Sequence, residues 1–145
     1  MEVLLSLDAP SDGGIRELLT SARAIAAVGA SANPARPVYG VMAYLLRAGY
    51  RVIPVNPGQA GGEILGQRVY ATLADVPEPI DIVDIFRRTE ALAGVVDEAL
   101  ALVPQPKAIW MQLGLRDHAS AAKAEATGLT VVMDRCIKVD HARLM

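Results

Sequence analysis

Short apolar runs punctuate the chain at Ala24–Val28, Arg51–Val55, Asp81–Phe86, Lys107–Met111 and Leu129–Met133. They are continuous rather than alternating, the pattern of strands covered on both faces. Between them, apolar residues return at helical spacing. Val38, Val41, Met42 and Leu45 mark a helix starting near residue 37, with Gly49 placed to close it. Leu92, Val95, Val96, Ala99, Leu100 and Val103 form a second stripe, for which Thr89 is the expected N-cap. An Ala-rich helix is predicted over 117–127, from Asp117 to the stop at Gly128, and another over 12–21, with Ile15, Leu18 and Leu19 toward the sheet. The segment 58–80, rich in glycine and proline, reads as an irregular crossover with one helical turn at 72–76.

Strand and helix alternate throughout. The predicted fold is therefore α/β: a single Rossmann-like, doubly wound domain with a mainly parallel five-stranded sheet and right-handed crossovers. No internal repeat, low-complexity tract or linker interrupts the pattern, so residues 1–145 are expected to form one domain with its core over about 12–144.

Composition narrows the picture. Apolar residues make up 52% of the chain and aromatics 4%, so the core must be built from aliphatic side chains. A formal net charge of −2 argues against broad binding to nucleic acid or an anionic membrane. The lone Cys136 excludes an internal disulfide framework and a multi-cysteine zinc site, and suits a reducing, cytoplasmic setting. Met1–Asp8 lacks the basic start of a leader peptide, and no apolar run reaches the roughly 18 residues of a membrane span.

In an open parallel sheet a ligand binds beyond the carboxyl ends of the strands. Here those ends are rich in glycine, polar and basic residues. They read Gly29-Ala30-Ser31-Ala32-Asn33-Pro34-Ala35-Arg36-Pro37, Val55-Asn56-Pro57-Gly58, Phe86-Arg87-Arg88-Thr89, Met111-Gln112-Leu113-Gly114 and Asp134-Arg135-Cys136-Ile137-Lys138. The first loop carries the sharpest signal. Small residues at 29–32 would let the backbone approach a bulky anion, Ser31 and Asn33 offer side-chain donors, and Arg36 offers charge. The helix after it would present amide donors and its positive dipole end. Turn residues of an ordinary strand–helix connection are the competing explanation; the position before the first long helix favours phosphate. No Asp or Glu occurs between Glu17 and Glu63, while Arg23, Arg36, Arg47 and Arg51 fall in that stretch.

An ordinary NAD site fits poorly. In the dinucleotide fingerprint G-x-G-x-x-G, counted from Gly29, the second and third glycines are replaced by Ser31 and Pro34. The acid expected at the end of the second strand is absent from Val55-Asn56-Pro57. An NADP-using oxidoreductase domain, with an arginine on the extra phosphate, stays open as the alternative. The Walker pattern is also missing. Catalytic candidates are sparse: His118 opens a helix, His141 lies near the C-terminus, and there is no nucleophile elbow or metal-ligand spacing. Cys136 has cationic neighbours in Arg135 and Lys138 that could lower its pKa and make a reactive or CoA-modified thiol, but a buried or half-buried structural thiol is the preferred reading. Arg87 and Arg88 both follow a strand; one could meet a ligand phosphate and the other an acid such as Glu90.

Taken together, Gly29-Ala30-Ser31-x-x-Pro34-x-Arg36, Val55-Asn56-Pro57, Asp81 to Arg88, Trp110 to Gly114 and Val132 to Lys138 resemble the small bacterial and archaeal CoA-binding domain proteins. These are similar in turn to the CoA-binding domain of the succinyl-CoA synthetase alpha subunit. The resemblance implies a Rossmann-like fold that holds coenzyme A by its nucleotide end. It places Gly29, Ala30, Ser31, Asn33 and Arg36 around the phosphates and Val55, Asn56 and Pro57 beside the adenosine, with Arg87, Met111 and Gln112 along the rest of the cleft. Tyr39 departs from the small hydroxyl residue of many relatives and could narrow the cleft. The synthetases also carry a phosphohistidine domain that has no counterpart in these residues, so thioester formation does not carry over. The expectation is a non-catalytic sensor, carrier or accessory module for CoA or acyl-CoA, with a protein partner or homo-oligomer left open.

Overall fold

The computed structural model describes residues 10–145; the expectation about a leader at Met1–Asp8 lies outside them. Helix α1 (Asp12–Ser21) starts at Ser11, whose hydroxyl accepts the amide of Gly14, and buries Ile15, Leu18 and Leu19. The main sheet comprises β1 (Ala24–Val28), β2 (Arg51–Val55), β5 (Ile82–Ile85), β6 (Ala108–Met111) and β7 (Thr130–Val132). All pairings are parallel and the order is β2-β1-β5-β6-β7. The chain leaves β1 for β2 on one side and returns to β5 on the other, so β1 and β5 flank the switch in strand order.

The register aligns the carboxyl ends. Val28 pairs with both Val55 and Ile85, and Ile85 pairs with Met111. Four strands thus stop at one level and their following loops share one edge. Helices α1, α2 (Pro37–Arg47) and α5 (Ile137–Leu144) cover one face of the sheet, where Ile25, Ala27, Ile82 and Trp110 meet Met42, Leu45 and Ile137. Helices α3 (Leu92–Leu100) and α4 (His118–Ala126) cover the other, over Ala26, Val83, Ile85 and Ile109. Each buried Ile, Leu, Val or Met among them contributes about 1.5–3 kcal/mol.

Several expectations are corrected. Thr89 does not cap α3. It opens a 3-10 turn, Thr89–Ala91, and α3 begins after Ala91 with no side-chain cap. Val103 leaves the apolar stripe because α3 ends at Leu100 and Pro104 disfavours helical geometry at the residue before it; Val103 is 96% exposed. Within 58–80 the helical turn is present at Leu73–Asp75, but the segment also holds an unforeseen hairpin, β3 (Glu63–Ile64) with β4 (Gln67–Arg68). Its turn residues Leu65 and Gly66 both have positive φ, the geometry of a tight two-residue hairpin. Helix α5 was also unforeseen.

Candidate functional site

The loop after β1 is shaped by close approach of neighbouring strand ends. Gly29 has φ +91°, and a Cβ there would stand 2.9 Å from the carbonyl oxygen of Phe86 and 3.1 Å from Cδ of Arg87. Only glycine accommodates both the conformation and the contact. The amides of Gly29 and Ala30 donate to the carbonyl of Val55 at 2.9 and 3.3 Å. These two amides, expected near phosphate, are therefore committed to β2. The remaining loop is self-braced: Ser31 Oγ accepts the Asn33 amide and Asn33 Oδ1 accepts the Ala35 amide, each at 3.0 Å. Among the described residues, the amides of Ser31, Ala32 and Val38 donate to no protein acceptor. They are the donors left for an anion at the start of α2.

Three adjoining hollows run along the carboxyl edge of the sheet. The first, at the ends of β2, β1 and β5, is lined by Asn56, Pro57, Gly58, Gly29 and Arg87 and has a volume of about 340 Å³. The second shares Gly29 and Arg87 with it, adds Ser31 and Arg36, and has a volume of about 340 Å³. Its walls are otherwise largely apolar, with Val38, Val41, Phe86 and Leu115. The third, about 260 Å³, lies between the ends of β6 and β7 and helix α5, and shares Leu113 and Cys136 with the second. Shared wall residues set the three side by side as a trough along that edge. Five strands spaced about 4.8 Å apart give it a length on the order of 19 Å.

Charge is uneven along this trough. No Asp or Glu lines the first two hollows. Arg36 and Arg87 are exposed there, and neither forms an ion pair among the described residues. Arg88 lines neither hollow and makes no ion pair with Glu90, so Arg87 is the member of the pair that faces the cleft. Of the arginines in the acid-free stretch, only Arg36 reaches it. Arg23 and Arg51 lie at the opposite edge, where Arg51 grips Glu78 through two 3.0 Å contacts.

Gly29, Ser31, Arg36, Arg87 and Gln112 line the central hollow, and Asn56 and Pro57 line the one beside it. Asn56 acts as a clip: Nδ2 donates to the Ala30 carbonyl at 2.7 Å and Oδ1 accepts the Gly58 amide at 2.8 Å. Gln112 is similarly engaged, its Oε1 accepting the amide of Ile137 at 3.1 Å. Asn33 sits on the exposed loop outside the lining. Ala30, Val55 and Met111 line none of the three hollows. All three are buried in the core, and Met111 faces the α3/α4 side of the sheet, away from the trough. Tyr39 packs against the core and is not among the cleft walls.

Residues the sequence reasoning passed over are Val38, Val41, Phe86, Leu113 and Leu115, which supply the apolar walls. An apolar Leu113 set between Gln112 and Gly114 was the available signal, and the structure leaves it 67% exposed. Asp84 was also missed as a special position. It is fully buried in β5, between Ala27 and Trp110 in the register, and its oxygens have no hydrogen-bond partner. Burial without a partner pushes its carboxyl well above the usual range, favouring the protonated form.

His141 lies at the opposite edge of the sheet, its Nδ1 2.8 Å from the Tyr44 hydroxyl, and burial lowers its pKa. His118 is exposed at the start of α4. Among the described residues no cluster of three His, Cys, Asp or Glu is placed to hold a metal, and no helix is long and apolar enough to cross a membrane.

A family model described as a CoA binding domain matches residues 23–142. The chain is 41% identical over 133 residues to the uncharacterized protein YneT of Bacillus subtilis (strain 168), covering 92% of this chain and 96% of that protein. It is 30% identical over 86 residues to the acetate–CoA ligase (ADP-forming) I subunit alpha of Pyrococcus furiosus, covering 57% of this chain and 19% of that subunit. The solved structure of ID.343 from Thermus thermophilus superposes with a TM-score of 0.88 at 41% identity, over 94% of this chain and 100% of that one.

Proposed function

We propose, from the premise that this chain belongs to the CoA binding domain family, that it holds coenzyme A or an acyl-CoA in the trough at the carboxyl edge of its sheet. The observation that carries the reading is the pair of arginines, Arg36 and Arg87, which face hollows with no acid in their walls. Anionic oxygens of the ligand would meet these guanidiniums and the unengaged amides of Ser31, Ala32 and Val38. The apolar walls supplied by Val38, Val41, Phe86 and Leu115 suit the pantetheine arm.

The role is that of a sensor, carrier or accessory module rather than an enzyme. Covalent chemistry would need a nucleophile with a base in reach, and the two histidines lie away from the trough walls. The matched segment is a minor part of the ligase subunit, so that protein's activity is not transferred. A nicotinamide dinucleotide is disfavoured by Asn56, which occupies the ribose-binding position with an amide already engaged by Ala30 and Gly58.

Titration calorimetry with CoA, dephospho-CoA and NAD tests the reading. CoA should bind most tightly, and Ser31→Trp should block it by bulk without unfolding the chain, since Ser31 lies on the partly exposed loop. Equal or tighter binding of NAD, or unchanged CoA affinity in Ser31→Trp, would overturn it. Mass spectrometry of the natively purified protein would identify any CoA species carried along.

A further inference from the structure

The third hollow differs in chemistry from the other two, and that difference points to a ligand with a hydrocarbon end. Its walls combine Leu113, Cys136 and Val139 with Asp134, Arg135 and Asp140. Leu113 is 67% and Val139 58% exposed, two large apolar side chains left open to water at the mouth of one groove. The charged walls are neutralised within the protein. Asp134 accepts from the Gly114 amide and from Arg116, both at 2.7 Å. Arg135 clasps Asp140 with two contacts of 2.6 and 2.9 Å, and Arg143 reaches the same carboxylate at 3.2 Å. Burial opposes the charge on Asp140, yet the two arginines hold its carboxyl below the usual range. The trough therefore runs from two unpaired guanidiniums to a groove with no charge to spare.

We infer that the groove between Leu113 and Val139 is an acyl subsite, and that the ligand class is an acyl-CoA thioester with an uncharged aliphatic acyl group. The inference rests on the CoA reading above and adds the identity of the far end. With the anionic end of the ligand at Arg36 and Arg87, the pantetheine arm crosses the apolar central hollow toward Leu113 and Cys136. An acyl group on its sulfur then lies over Leu113 and Val139, covering apolar surface that free CoA leaves wet. A dicarboxylic acyl group would find its terminal carboxylate among arginines already satisfied by Asp134 and Asp140, and gains nothing there.

The test is calorimetry of the full chain with CoA and the acetyl, butyryl, hexanoyl and octanoyl thioesters. Affinity should rise with chain length, by about two- to fourfold for each methylene that becomes buried. Val139→Glu, an exposed change on α5, should flatten that series while leaving free CoA affinity and the circular dichroism spectrum unchanged. If CoA binds but the series is flat in the unaltered protein, the acyl subsite is wrong and the CoA reading stands. A series that stays steep in Val139→Glu also overturns the subsite. Failure of CoA and of every thioester to bind overturns both.

Discussion

The side-chain amide of Asn56 donates a 2.7 Å hydrogen bond to the carbonyl oxygen of Ala30, joining the loop after β2 to the loop after β1. The same side chain accepts the amide of Gly58 at 2.8 Å. A polar residue at the mouth of the trough thus serves as its brace. The two loops it joins carry Ser31 and Arg36 on one side and Pro57 and Gly58 on the other, so their separation sets the width of that end of the trough.

Replacing Asn56 by Ala removes the donor to a carbonyl whose residue is buried and the acceptor of the Gly58 amide. The expected cost is about 1–3 kcal/mol of stability. Affinity for CoA should fall as well, because the loops lose their fixed spacing. Urea denaturation and calorimetry on one preparation check both. A loss of affinity with no loss of stability would assign Asn56 to ligand contact instead.

Gly29→Ala strikes the same mouth from below. The methyl group would stand 2.9 Å from the carbonyl oxygen of Phe86 on a residue with φ +91°. Strain of this kind costs about 1–3 kcal/mol. Relief by movement would push the β1 and β5 ends apart where Arg87 enters, so CoA affinity should drop by about tenfold. Thermal denaturation and calorimetry read the two effects separately.

Much of this architecture is legible in the sequence. Ala24–Val28 and Arg51–Val55 form strands with the expected bounds because a strand covered on both faces writes itself as an unbroken apolar run. The elements that escaped lack such a signature. The β3–β4 hairpin has two residues per strand, too few for any period to show. In α5 the stripe between Ile137 and Leu144 is interrupted by buried Asp140, whose place in the core depends on Arg135 and Arg143. The burial of Met111 follows from parity. Met111 faces the same way as Ile109, while Trp110 faces the side of the sheet on which Phe86 packs, and alternation along β6 carried that information. The commitment of the Gly29 and Ala30 amides to Val55 is a tertiary fact with no local trace.

Arg36 and Arg87 should contribute to binding without contributing to folding. Both are exposed, and neither pairs with an acid among the described residues. Arg36→Ala and Arg87→Ala are each expected to weaken CoA binding by about tenfold and to make it less sensitive to salt. Arg88→Ala, whose side chain lies outside the cleft walls, should bind as the unaltered protein does. Calorimetry at two salt concentrations distinguishes a lost charge contact from a general loss of structure, which would show as reduced thermal stability in all three variants.

Asp84 makes stability fall as the medium becomes more alkaline. Its carboxyl is fully buried without a partner and its pKa is raised well above normal by desolvation. In the unfolded chain the same group ionises near pH 4. Above that value the native state binds one proton that the unfolded state has released, so stability declines by about 1.4 kcal/mol per pH unit until the folded-state pKa is reached. Below pH 4 the group is protonated in both states and imposes no such slope. Asp84→Asn retains the shape and cannot ionise, which removes this contribution. Urea denaturation from pH 5 to 8 should therefore show the variant gaining on the unaltered protein as pH rises. Parallel stability profiles for the two proteins would mean that the carboxyl ionises in the fold as it does in the unfolded chain, and the raised pKa of Asp84 would be lost.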